Sequence, residues 1–138
     1  MSSSPAWVPC AGATVHMPSG ARGSHLFVIL NDGAQCAGYG PGLHFLSVSV
    51  STIRLGIYHD KSCLLRAGCH PFVKVDSYVH YGGARIDSDA DLGRFISQGV
   101  FRPHATAMPP NLLHRIRAGL HASLHTPLEC KSCGLVPP

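Results

Sequence analysis

Residues 43–51, LHFLSVSVS, contain the clearest strand pattern in the chain. In the second half of this stretch, two valines alternate with three serines: Val48, Val50, Ser47, Ser49 and Ser51. Successive side chains of a β-strand point to opposite faces, so the valines share one face and the serines share the other. The pattern predicts a strand whose valine face lies in the core.

Three more stretches are typical of strands because they are rich in β-branched and aromatic residues: 13–17, 25–31 and 78–86. Turn residues end the first two of them, at 18–20 (PSG) and 31–33 (NDG). The glycine pair at 82–83 favours a bulge in the last one. Residues 52–69 have no clear strand pattern and are predicted to form a loop or a hairpin.

A first helix is predicted after residue 86. Asp87, Ser88 or Asp89 can cap its N-terminus, and acidic residues favour the positive end of a helix dipole. Gly99 lies where a left-handed residue often ends a helix.

A second helix is predicted after the two prolines at 109–110, with Asn111 as its N-cap and Pro127 as its end. Its apolar residues recur at the spacing of one helix face: Leu112, Leu113, Ile116, Leu120 and Leu124. The opposite side is basic and carries His114, Arg115, Arg117, His121 and His125.

The order of these elements predicts the fold class. A chain of 138 residues fits one domain, 1–138. Short strands followed by helices predict an α+β fold with a small twisted β-barrel or rolled sheet over 13–86. Two helices over 87–126 are expected to pack on one side of it, and 127–138 form a C-terminal tail.

Composition and the N-terminus predict the compartment. Hydrophobic residues make up 45% of the chain and charged residues 13%, which is typical of a folded protein. The longest apolar run, 26–30, is far shorter than the ~20 residues that cross a bilayer, so no membrane is expected as a partner. The first ten residues do not resemble a signal peptide. We therefore expect a cytoplasmic protein with unpaired cysteines.

The net charge of +4 is concentrated near the C-terminus. Residues 92–138 contain five Lys or Arg against the single Glu129, whereas the charges of 1–91 cancel. An anionic partner, with nucleic acid favoured over membrane, is one interpretation, and a solvated basic surface is the other. The nucleotide-binding, dinucleotide-binding, zincin and α/β-hydrolase motifs are absent from the sequence, which leaves those activities without support.

Three segments occur in an order that resembles the PemK/MazF-like toxins, which are small SH3-like barrels of toxin-antitoxin systems. They are ATVHMPSG at 13–20, HLFVIL at 25–30 and LSVSVSTIR at 46–54. The segment GCHPFVKVDSYVHYGGARI at 68–86 also resembles a divergent branch of such proteins. The resemblance covers roughly residues 13–86 and implies an SH3-like barrel.

The resemblance also implies an activity and partners. Members of this family cleave single-stranded RNA without a metal, by attack of the substrate 2′-OH on the adjacent phosphate. His25 occupies the position of the family's basic residue, which is usually Arg, and Ser51 or Thr52 occupies that of its hydroxyl residue. An antitoxin protein and a homodimer are the implied protein partners. The alternative is a non-catalytic barrel module that binds nucleic acid or a partner protein.

Other residues are candidates for the same chemistry. His70 is predicted to be catalytic, because Pro71 fixes a bend and Phe72 anchors it, although a structural histidine bonded to backbone is the alternative. The predicted nucleic-acid-binding residues are Arg54, Lys74, Ser77, Tyr78, Arg115 and Arg117. The simpler interpretations are an exposed turn histidine for His25 and strand-end hydroxyls for Ser51 and Thr52.

A zinc site is one further hypothesis. Four residues of the types that bind zinc follow one another near the C-terminus: His121, His125, Cys130 and Cys133. The two histidines are one helical turn apart, and the cysteines have the Cys-x2-Cys spacing. The alternative is a chance pattern in a histidine-rich chain that needs no cofactor.

Overall fold

A computed structural model describes residues 7–20 and 23–138. The described elements, in chain order, are β1 (Thr14–Pro18), β2 (Ser24–Ile29), β3 (His44–Thr52), β4 (Leu64–Leu65), β5 (Ser77–Ser88), α1 (Asp89–Ser97), β6 (Arg102–His104), α2 (Pro110–Ala122) and α3 (Leu128–Ser132).

The strands form one antiparallel sheet in the order β4-β5-β3-β2-β1-β6. The edge strands are short, and within the described segments β4 and β6 are not hydrogen-bonded to each other. The sheet is therefore open. The α+β class is confirmed, but the sheet is not closed into the barrel that the sequence predicted.

Helices cover both faces of the sheet. One core cluster joins alternate residues of β2 and β3 to α2 and includes Val28, Val48, Val50, Ile116 and Leu120. A second cluster joins the intervening residues to α1 and includes Phe27, Ile29, Phe45 and Leu92. The valine face of β3 lies in the core as predicted. The expectation that the helices pack on one side is wrong, because α1 and α2 lie on opposite faces.

The ends of α1 agree with the sequence signals. Ser88 is the N-cap, and its Oγ accepts a hydrogen bond of 3.0 Å from the backbone N–H of Asp91. Gly99 has a φ of 74°, in the left-handed region that residues with a β-carbon rarely adopt. The cap and the end of this helix are therefore local properties of the sequence.

The ends of α2 differ from the prediction. Pro109, not Asn111, is the N-cap residue, and the helix ends at Ala122, with Ser123 as its C-cap, well before Pro127. Ser123 is extended, with a ψ of 136°, and its hydroxyl donates a 2.5 Å hydrogen bond to Oδ2 of Asp60. The helix ends there because a partner 63 positions earlier in the chain holds Ser123 outside helical geometry.

Two further differences follow from where α2 ends. Leu124 is 94% exposed in the segment after the helix, so it is not part of the apolar face. The predicted tail contains α3, which buries Cys130 in the core next to β5. The six cysteines all lie in described segments and are free thiols there.

Candidate functional site

The sheet face that α1 covers changes from apolar to polar along the strands. Phe27 and Phe45 lie beneath α1. Past the helix, the same face carries polar and aromatic side chains from three adjacent strands: His25, Ser49, Ser51, Tyr78 and His80. The strand register thus brings residues distant in sequence together on one face of the sheet, where Ser49 is buried and His80 is exposed.

A cleft of about 440 Å³ lies at the end of this surface. Five of the residues predicted from the sequence line it: His25, Ser51, Thr52, Arg54 and Tyr78. Six other lining residues were not predicted to be functional: Ser24, Val50, Ile57, Tyr58, His59 and Phe72. We refer to this site as the cleft. It places imidazole, hydroxyl, guanidinium and aromatic groups around one open space.

His25 is held at the cleft by Ser19, the residue that follows β1. Its Nδ1 lies 2.5 Å from Oγ of Ser19, at hydrogen-bond distance. The imidazole is half-buried. With Nδ1 engaged by Ser19, Nε2 is the nitrogen available to a molecule in the cleft.

His59 is the functional candidate that the sequence analysis missed. It is half-buried in the cleft, and its ring centroid lies 5.4 Å from that of Tyr78. Tyr78 itself pairs with Ser51 on one side and with Leu64 on the other. The signal in the sequence was the aromatic-histidine pair YH at 58–59, inside a segment predicted only as loop.

The segment after α2 supports the wall of the cleft. Tyr58, on the rim, places its hydroxyl 2.8 Å from Nε2 of His125. Asp60 accepts hydrogen bonds from Ser62 and from Ser123, and Ser123 also accepts one from the backbone N–H of His125. Residues from two distant parts of the chain therefore fix the loop that carries Tyr58.

Asp60 is buried, but its surroundings stabilise the ionised form of its carboxyl group. Burial opposes its ionisation, yet the hydrogen bonds from Ser123 and Ser62 outweigh burial and lower the pKa of this carboxyl. The ionised group is thus the form that holds the loop in place.

His70 lies outside the cleft. It is 2% exposed, its Nε2 donates a 2.8 Å hydrogen bond to the carbonyl of Thr106, and its Nδ1 accepts one of 3.0 Å from the N–H of Phe72. Both ring nitrogens are therefore occupied by backbone groups. This geometry favours the structural alternative over the predicted catalytic role.

The remaining predicted binding residues of the loop and β5 are also apart from the cleft. Ser77 is buried, and its hydroxyl donates to the carbonyl of Val75 at 2.8 Å. Lys74 is exposed and lines a separate surface depression next to His70. Ser77 therefore has a local structural role, and Lys74 does not line the cleft.

The basic face of α2 is not part of the cleft either. Arg115 donates a 2.8 Å hydrogen bond to the carbonyl of Leu64, which attaches α2 to β4. Arg117 lines a different depression, together with His114 and His121. Both arginines are on the helix that covers the valine face of the sheet.

The four predicted zinc ligands have separate partners. Nε2 of His121 donates to the carbonyl of Val136 at 2.6 Å, and His125 contacts Tyr58. Cys130 is buried, and burial raises the pKa of its thiol to about 11, with Cys133 nearby adding to the effect. Among residues 7–20 and 23–138, no group of three or more His, Cys, Asp or Glu side chains is arranged to hold a metal ion.

Comparisons of the chain with protein-family models, with curated proteins and with solved structures found no match. Among the helices of the described segments, none has the length and apolar character needed to cross a bilayer. The function of the cleft therefore has to be inferred from its own chemistry.

Proposed function

We propose that the protein is a metal-independent endoribonuclease that cleaves single-stranded RNA in the cleft. The observation that carries this proposal is that two imidazoles, those of His25 and His59, line the same cleft as the guanidinium of Arg54. Cleavage by the substrate 2′-OH needs one group that accepts a proton and one that donates a proton. Two histidines in one site are suited to both transfers near neutral pH.

The proposed reaction is a transfer of the phosphodiester from one oxygen to another. Neutral His25 accepts the proton of the 2′-OH through Nε2, and the 2′-oxygen forms a bond to phosphorus. The bond from phosphorus to the 5′-oxygen breaks, and protonated His59 donates its proton to that oxygen. The products are a 2′,3′-cyclic phosphate and a 5′-OH, and water returns the proton from His25 to His59.

Charge that develops on the phosphate has hydrogen-bond donors in the same cleft. Arg54 is exposed at the end of β3 and supplies a fixed positive charge. Ser51 and Thr52 supply hydroxyl donors from the end of the same strand. Donors that are already in position stabilise the transition state without reorganising during the reaction.

The aromatic side chains of the cleft suit unpaired bases. Tyr58, Phe72 and Tyr78 line it, and the first two of them are exposed. Stacking on an aromatic ring contributes roughly 1–3 kcal/mol per base and tolerates any base. A base must leave its helix to stack in this way, which supports a single-stranded substrate.

The relationship to PemK/MazF-like toxins is part of the same proposal. It is supported by His25 and Ser51, at the two positions that the resemblance singled out, lining one cleft. An SH3-like ancestry of the open sheet, an antitoxin partner, a homodimer and a cytoplasmic location follow from this relationship. Each of them is proposed together with it.

The experiment compares cleavage of an unstructured RNA oligonucleotide by the wild type and by His25→Gln and His59→Gln, all in excess EDTA. Each variant is expected to lower the rate about 100-fold or more, because glutamine cannot transfer a proton near neutral pH. His114→Gln is the matched control, since His114 is exposed on α2 outside the cleft. Thermal denaturation of every variant verifies that it is folded.

Intact RNA after prolonged incubation with folded wild-type protein would overturn the endoribonuclease proposal. If that protein still binds the RNA, and Arg54→Gln weakens binding, the non-catalytic binding module is the correct function. Equal cleavage by the wild type and both cleft variants would show that the cut is made elsewhere.

A further inference from the structure

A second pocket of about 340 Å³ adjoins the cleft. It shares three lining residues with the cleft: His25, Ser51 and Tyr78. These residues come from β2, β3 and β5, three neighbouring strands of the sheet. The two spaces therefore adjoin along one row of side chains on the sheet.

The second pocket differs from the cleft in its chemistry. Its own residues include Ser19, Ser49 and His80, whereas Arg54, His59 and the exposed aromatic residues belong to the cleft alone. The register pairs Ser49 with His80, next to the pair of Ser51 and Tyr78 on the same face. Two positions along a strand span about 7 Å. Ser49 and His80 therefore lie about 7 Å along the strands from Ser51 and Tyr78, which line the proposed reaction site.

Gly83 sets the position of the His80 ring. A β-carbon at residue 83 would lie 2.9 Å from Cδ2 of His80, which is closer than such atoms approach one another. At Gly82 the nearest atom, Cε1 of His80, would be 3.4 Å away, at the limit of ordinary contact. The glycine at 83 thus allows the imidazole to lie against the backbone, beside the pocket.

We infer that the second pocket binds the nucleotide next to the cleaved one, through a hydrogen bond from the exposed imidazole of His80. This inference rests on the proposed function. The proton-transfer residue His59 and Arg54 lie only in the cleft, so the bond is cleaved there and the chain continues into the second pocket. The enzyme therefore acts on a continuous RNA chain and favours longer oligonucleotides over a dinucleotide.

The test measures kcat/KM in EDTA for a dinucleotide and for a hexanucleotide that contains it. The wild type is expected to favour the hexanucleotide about 10-fold, the factor that corresponds to one added hydrogen-bonded contact. His80→Ala is expected to reduce this ratio to about 1. Gly83→Ala is expected to lower the ratio as well, because it displaces the His80 ring, whereas the control Gly82→Ala keeps it.

The outcomes separate the two proposals. Cleavage of both substrates with equal kcat/KM by the wild type would overturn the second binding site and leave the endoribonuclease proposal in place. If His80→Ala lowers kcat/KM of both substrates by one common factor, the second binding site is likewise overturned and the endoribonuclease proposal stays in place. A folded wild type that cleaves neither substrate overturns both proposals.

Discussion

The side-chain oxygen of Ser19 lies 2.5 Å from Nδ1 of His25. Ser19 directly follows β1, whereas His25 lies in β2, so the hydrogen bond links the end of one strand to the imidazole on the next. When Nδ1–H donates to Ser19, Nε2 carries the lone pair that general-base catalysis requires. Ser19 is thus a positioning residue in the proposed mechanism.

We expect Ser19→Ala to lower kcat for a dinucleotide about 10-fold with little change in KM, because the imidazole loses its fixed orientation. Steady-state kinetics in EDTA measure both constants. Ser132→Ala is the matched control, since that hydroxyl bonds the carbonyl of Leu128 in α3, away from the cleft. A wild-type kcat for Ser19→Ala would contradict the positioning role.

His70→Gln should destabilise the protein and leave RNA cleavage at the wild-type rate. Both ring nitrogens of His70 bond backbone groups in the interior, and glutamine cannot satisfy both with the same geometry. The expected loss is about 1–3 kcal/mol of unfolding free energy. Urea denaturation measures the stability, and a loss of cleavage in a variant of unchanged stability would restore the catalytic role.

The stability of the protein should fall as the pH drops below about 6.5, in part because of His16. Burial lowers the pKa of His16, and the nearby His104 and Arg102 lower it further. The unfolded chain therefore binds more protons in the window between the lowered pKa and 6.5. The contribution of His16 to stability is complete above this window and is lost as the pH falls through it.

Replacing His16 by Gln should therefore flatten the pH dependence of Tm between about pH 7 and 5. The partners that face His16 are Phe72, His104 and Arg102, and His70 lies behind His104. His114→Gln, on the exposed side of α2, serves as the control and should keep the wild-type slope. An unchanged slope in His16→Gln would refute the assignment.

Two glycines in helices should respond oppositely to alanine. A β-carbon at Gly119 would overlap the hydroxyl of Tyr81, which donates a 2.8 Å hydrogen bond to the carbonyl of Ile116. Gly119→Ala should cost about 1–3 kcal/mol by overpacking. Gly93→Ala in α1 should stabilise the protein by up to about 1 kcal/mol, because among the described residues a β-carbon there would meet no atom within 4 Å beyond its chain neighbours and the backbone of its own helix. Thermal or urea denaturation of both variants checks the signs, and two changes of the same sign would contradict this packing.

The features that the sequence predicted correctly are those encoded by neighbouring residues. The alternation in 43–51, the cap by Ser88 and the left-handed Gly99 each depend on a few adjacent positions. The end of α2 was not predictable in this way, because Ser123 leaves the helix to bond Asp60. The open sheet likewise depends on the short edge strands, whose pairing partners are distant in sequence.

The candidate site likewise contains residues that the sequence predicted and residues that only contacts distant in sequence bring into place. The resemblance selected His25 and Ser51, and the register of β2, β3 and β5 places them at one cleft. His59 was missed because only folding brings its loop against Tyr78. His70 was overvalued because the proline after it fixes a bend regardless of whether the ring faces solvent or the interior.

The most direct test of metal-independent cleavage by the substrate 2′-OH is the chemistry of the cut ends. A single-stranded RNA is incubated with the protein in EDTA, alongside a copy that carries 2′-deoxyribose at the cleaved nucleotide, and the products are identified by mass spectrometry. We expect a 2′,3′-cyclic phosphate on one fragment, a 5′-OH on the other, and no cut at the deoxy position. Fragments with a 3′-OH and a 5′-phosphate, or a cut at the deoxy position, would contradict it.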